Sequence, residues 1–106
     1  MSRFRSKPVL IEAVQLRWDT WNEVCELAAT SLRGDGLKGL HSHEVAKEFP
    51  GAEISLPIIE GGIYAIIPTH EGPHLARQGD WIIRGTEGEL YPCRDSVFQR
   101  KYEAVP

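Results

Sequence analysis

The chain has 106 residues and a formal net charge of −3, with 12 Lys and Arg against 15 Asp and Glu. That length bounds it to one domain, and 42% hydrophobic with 25% charged residues is ordinary globular composition. The acidic balance argues against nucleic acid, whose phosphates recruit basic faces. No apolar run approaches the roughly 20 residues of a membrane helix, and the first residues lack the apolar stretch of a secretory signal.

Arg3, Arg5 and Lys7 read as a solvated lead-in to a first strand. Residues 9–18 follow Pro8 and are rich in apolar and β-branched side chains, which predicts a strand. Leu10, Glu12, Val14, Leu16 and Trp18 share one face, and Val9, Ile11, Ala13, Gln15 and Arg17 the other. Both faces start apolar, which suits a central strand. Glu12 is the misfit: either it pairs with a base in a half-buried site or it is exposed at a bulge, and a lone acid favours exposure.

A helix comes next. Thr20 and Glu23 have the spacing of a capping box, Arg33 suits the negative end of the dipole, and Gly34 suits a left-handed stop. Trp21, Val24, Cys25, Ala28 and Leu32 make one apolar stripe, so Cys25 reads as a small core residue. Gly34, Gly36, Gly39, Pro50 and Gly51 break up residues 34–53, which read as a loop or flap insertion. Within it, 42–49 suits a short helix with Ser42 as cap and Val45, Ala46 and Phe49 on one side.

The pattern then turns to β. Residues 54–59 and 63–68 flank Glu60-Gly61-Gly62 as a hairpin, with Pro57 marking an edge or bulged strand. Residues 81–84 and 89–91 flank 85–88 as a second hairpin launched by Gln78-Gly79-Asp80, and Pro92 stops it. Gly79, Gly85 and Gly88 are expected at positive φ. Asp95 is expected to cap a helical turn holding Val97 and Phe98, and residues 102–105 to form a closing strand. The fold class is α+β: one principal helix packed on a small twisted antiparallel sheet with β-hairpins, in a single domain.

The block Gly79-Asp80-Trp81-Ile82-Ile83-Arg84-Gly85, then Gly88-Glu89-Leu90-Tyr91-Pro92-Cys93, then Asp95, Phe98, Tyr102 and Glu103, resembles the C-terminal signature of a family of small uncharacterised phage and prophage proteins. Phe4-Arg5 and Lys7-Pro8-Val9, then Glu12-Ala13 and Gln15, also resemble that family, as do Thr69 and Glu71-Gly72. Asp95 stands one residue from the usual spacing, and residues 34–56 match nothing in it. The two cysteines, Cys25 and Cys93, lie far apart in sequence and make no disulfide framework, so they read as reduced thiols of a cytosolic protein. The resemblance implies a phage accessory protein, for which that compartment is the host cytoplasm, and brings no activity, cofactor or catalytic residue with it.

Four constellations are candidates for chemistry. His41, His43 and Glu44, with His70, Glu71 and His74, place metal-ligand types close together, but not at a recognised spacing, and exposed loop histidines are the preferred reading. Cys93 lacks the sequence context of a cysteine hydrolase and reads as packing. Asp80 with Glu87 and Glu89 reads as turn chemistry rather than a carboxylate pair. Trp81 and Tyr91 with Arg84 and Arg94 are the candidate ligand-binding set, able to stack a base, although small cores also need such aromatics, Phe98 and Tyr102 among them. The expected function is therefore non-enzymatic binding of a host protein or small ligand, without a cofactor, that interferes with host physiology or defence. Competing readings are a nucleotide-sequestering sponge and a small metal-dependent hydrolase. A homodimer through an edge strand at 54–59 is also expected.

Overall fold

The computed structural model describes residues 2–3, 9–51 and 58–106. Most of the strand expected at 54–59, Pro57, the pairing of two copies there, and Arg5 and Lys7 lie outside the described residues. Ile58 and Ile59 are not in a strand.

The α+β class holds, but with two three-stranded antiparallel sheets rather than one. In the first, the order is β1 (Glu12–Gln15), β5 (Trp81–Arg84), β6 (Leu90–Cys93). In the second it is β2 (Lys38–His41), β3 (Ile63–Thr69), β4 (Gly72–Arg77). Helices are α1 (Trp21–Ala29), the single turn α2 (Val45–Glu48) and α3 (Asp95–Lys101).

β3 is the organising strand. It lies between β2 and β4 and is buried on both faces. Ile63, Ala65 and Ile67 join Leu16, Val24, Leu27, Ala28, Ala76, Ile82 and Leu90 in the main core beneath α1. Tyr64 points the other way, into a second cluster with Leu40 and Val45, edged by Phe49, Ile66 and Leu75. The period of two along one β-rich strand thus supplies two cores. Its hairpin partner is β4, with Ile67 opposite His74 and Thr69 opposite Gly72. The β3–β4 turn falls at residues 70–71, where Thr69 Oγ1 closes it, donating to Gly72 O (2.7 Å) and accepting from Glu71 N–H (3.2 Å). A turn also stands at Glu60-Gly61, where Gly62 N–H donates to Ile59 O (2.9 Å) and Gly61 has φ 77°.

Residues 34–51, expected as a loop or flap, contain β2 and α2. Gly39 is the reason β2 packs closely: a Cβ there would meet the Trp21 indole at 2.7 Å, so the missing side chain seats the ring on the strand. The turn before α2 is capped by His41 and Glu44 rather than Ser42: the Glu44 carboxylate accepts His41 N–H (2.8 Å) and the His41 ring accepts His43 N–H (3.4 Å). Ser42 is buried and accepts Gly61 N–H (2.9 Å), tying this turn to the approach to β3.

Several other expectations are corrected. β1 is an edge strand and only four residues long; Val9 and Leu10 run on before it, exposed. Pairing continues only to Leu16, which donates to Asp80 O (2.8 Å) and accepts from Gly79 N–H (2.9 Å). Thr20 does not cap α1 through its side chain; its hydroxyl donates to Gln15 O (2.5 Å) and accepts Arg17 N–H (3.0 Å). α1 ends at Ala29 because Thr30 and Ser31 hydroxyls both take Leu27 O (3.1 and 2.6 Å), diverting it from the helical ladder. The left-handed residue is Arg33 (φ 59°) and not Gly34, which is needed because a Cβ would run into the Ala28 carbonyl oxygen. Cys25 is exposed and Leu27 buried: at about 100° per residue the buried face centres on Val24, Leu27 and Ala28, which leaves Cys25 on its flank.

The β5–β6 hairpin stands where expected, with Gly88 and Gly79 at positive φ (85° and 96°). Gly85 is not; the Glu89 side chain packs where its Cβ would be. Pro92 sits inside β6 opposite Ile82 instead of ending it, which an edge strand allows because the missing N–H costs no ladder bond on the open side. Residues 102–106 form no strand. Arg94 is the cap of α3, and Asp95 is its first residue.

Candidate functional site

Alternation along β5 and β6 divides the candidate ligand set. Trp81, Ile83, Tyr91 and Cys93 share one face of the first sheet; Ile82, Arg84, Leu90 and Pro92 share the other. α3 covers the first face. Phe98 stacks on the Trp81 indole (centroids 4.1 Å, planes 5° apart), and Tyr102 leans on Phe98 at 4.9 Å. Trp81 Nε1–H donates to Asp95 Oδ1 (2.8 Å) and Gln99 Nε2 adds a second bond (3.1 Å). These two donors hold the Asp95 carboxyl below its ordinary range. Tyr91 shares a hydrogen bond with Tyr102 (3.4 Å). Partial burial, with that neighbour, pushes its phenol upward.

Arg94 is committed elsewhere. Its Nη1 donates to both oxygens of Asp80 (3.0 and 3.1 Å), a carboxylate that also accepts Arg77 N–H (3.0 Å) and is only 5% exposed. The ion pair locks the β4–β5 turn to the start of α3. Arg84 lies on the opposite face and bonds Glu12 and the Thr30 hydroxyl, bridging β5, β1 and the end of α1. Glu12 is thus both exposed and paired. The structure brings Trp81 and Tyr91 to one face but separates Arg84 from them and spends Arg94 on Asp80.

The histidines fall in two places. His41 and His43 touch, Nδ1 to Nδ1 at 2.7 Å, so one ring must donate and the other accept. Trp18, half-exposed, lies 5.6 Å from the His41 ring and donates to Gly61 O (2.9 Å). His70 and His74 are exposed at the far end of the second sheet. His41 pairs with Ile63 and His74 with Ile67 on opposite flanks of β3, which separates them by about 13 Å along the strand alone. His74 is on β4, not in a turn. Among the described residues no three His, Cys, Asp or Glu side chains gather in a set able to hold a metal. Cys93 is half-buried with its thiol toward Arg94 O (3.6 Å), and Glu89 folds back onto Glu87 N–H (3.1 Å), away from any pairing with Asp80.

A concave surface among the described residues lies elsewhere. An open groove of about 520 Å³ runs between β1 and α1, lined by Glu12, Ala13 and Val14, by Glu23, Glu26, Leu27 and Thr30, and by Arg84. Only Arg84 belongs to the candidate set. Glu23 and Glu26 carried a usable signal, since positions three apart lie on one helix face. Among the described residues neither is ion-paired. No described helix is long and apolar enough to cross a membrane. Comparison with protein-family models, curated proteins and solved structures finds no match for this chain.

Proposed function

We propose that this chain is a small non-enzymatic phage accessory protein that binds a host protein in the host cytoplasm and so interferes with host physiology or defence. The observation that carries the reading is the groove between β1 and α1, which leaves the Glu23 and Glu26 carboxylates and a strand edge turned outward, while Trp81, Arg84 and Arg94 of the candidate ligand set are engaged within the fold. Phage origin rests on the resemblance of residues 79–103 to the phage and prophage signature.

A sponge that sequesters nucleotides fits less well. One face of the Trp81 ring is taken by Phe98, Arg84 lies across the sheet, and Arg94 is held by Asp80. The test is capture from host lysate on the immobilised chain, followed by calorimetry with the purified partner. A partner that binds stoichiometrically supports the reading. A chain that captures none, and whose melting temperature rises with a mono-, di- or cyclic nucleotide, refutes it.

A further inference from the structure

We infer that the groove between β1 and α1 takes an extended, lysine- or arginine-bearing peptide segment, which adds as a strand to the open edge of β1. The inference rests on the binding reading above and names the partner's chemistry.

The backbone parity at β1 shows which groups are free. Leu16 sends its N–H and C=O toward the β4–β5 side, to Asp80 and Gly79. Alternate residues of an antiparallel ladder point the same way. Val14 and Glu12 therefore face β5, and Ala13 and Gln15 turn their backbone groups to the open edge. The Gln15 carbonyl is taken by the Thr20 hydroxyl (2.5 Å), which closes that end. Among the described residues the Ala13 N–H and C=O are left without a partner, in the strand that lines the groove. Immediately before it the chain offers Val9 and Leu10, 62% and 76% exposed, as apolar contacts for an incoming strand. This is the arrangement of peptide recognition by strand addition: main-chain bonds supply the attachment and flanking side chains the selectivity.

Charge selects the occupant. Arg84 is already satisfied by Glu12 and Thr30. Glu23 and Glu26 remain on the α1 wall, exposed, with no ion pair among the described residues. A strand laid on β1 passes beneath both carboxylates, and a basic side chain pointing to that wall meets them. A second copy is disfavoured, because pairing β1 with itself brings two sets of Glu12, Glu23 and Glu26 together.

The test uses a labelled peptide alternating valine with lysine, and its glutamate counterpart, titrated with the full chain and followed by fluorescence anisotropy. The lysine peptide is expected to bind and the glutamate peptide not. Glu23→Lys with Glu26→Lys, both on exposed helix positions, should weaken binding by about tenfold or more. Ala13→Pro, which removes the outward N–H and spares the β5 ladder, should weaken it by a similar factor with the circular dichroism unchanged. Lysine-peptide binding that ignores Ala13→Pro would overturn strand addition, and equal or absent binding of both peptides would overturn the basic occupant. A dimeric mass by light scattering that Ala13→Pro returns to monomer would assign the edge to a second copy instead. If a lysate partner is captured equally well by the Glu23→Lys, Glu26→Lys variant, the protein-binding reading stands and this surface fails; if no partner is captured at all, the reading itself fails.

Discussion

Arg94→Ala is the perturbation that separates a framework arginine from a ligand-binding one. In the fold Arg94 places two hydrogen bonds on Asp80, at 3.0 and 3.1 Å, and the Asp80 side chain is 7% exposed. Removing the partner of a buried charge costs about 3–5 kcal/mol, and a hydrogen bond to a charged group about 1.5–3. The Arg94 side chain is itself 37% exposed, so solvent screens the pair, and Asp80 keeps the Arg77 N–H at 3.0 Å. The expected loss is therefore about 2 kcal/mol, or roughly 8–16 °C in Tm at about 4–8 °C per kcal/mol. Urea unfolding followed by tryptophan fluorescence measures it, and a double-mutant cycle with Asp80→Asn should return a coupling of about 1 kcal/mol or more. A change within about 0.5 kcal/mol of the parent, the range of an uninvolved surface site, would refute the assignment and release Arg94 for a ligand.

Further outcomes follow from the same geometry. Cys25, exposed on the flank of α1, should react with a thiol reagent well before the half-buried Cys93 under native conditions; equal rates would contradict the placement of the helix face. Burial raises the Tyr91 phenol, so the folded state favours the neutral ring. That contribution is complete below pH 10 and is lost as pH rises above the ordinary tyrosine value of 10.0, because the unfolded chain ionises first. Tyr91→Phe should flatten the fall of Tm in alkali, and an unchanged alkaline limb would count against it. Asp95 has the opposite sign: its carboxyl is depressed, so its contribution is present above the ordinary value of 3.8 and is lost as pH falls below it. Asp95→Asn should reduce the acid sensitivity of Tm.

Local signals carried much of the fold. The β5–β6 hairpin announces itself through glycines 79 and 88 at positive φ around a β-rich run. The principal helix is legible from its apolar period, though its burial is not: one extra polar pair, Thr30 and Ser31, ends it early, and Leu27 replaces Cys25 in the core. The second sheet was hidden because β2 contains Gly39 and lies among turn residues, where local propensity argues against a strand; its pairing with β3 and the Trp21 ring over Gly39 are long-range gains. β4 was hidden likewise, since Gly72, Pro73 and His74 read as a turn until β3 pairs with them. At the candidate site, residue type pointed to aromatics and arginines. Strand parity, which sets Arg84 across the sheet from Trp81, and the buried Asp80 that claims Arg94 decide otherwise. The groove was not legible, because it forms between a strand edge and a helix whose facing depends on tertiary packing.

The most direct test of the central claim is native mass spectrometry of the chain purified from cells under native conditions, before and after denaturation. The account predicts that the native mass exceeds the polypeptide mass only by a whole protein partner, if at all. A small molecule or metal retained in the native state and released on denaturation would contradict it.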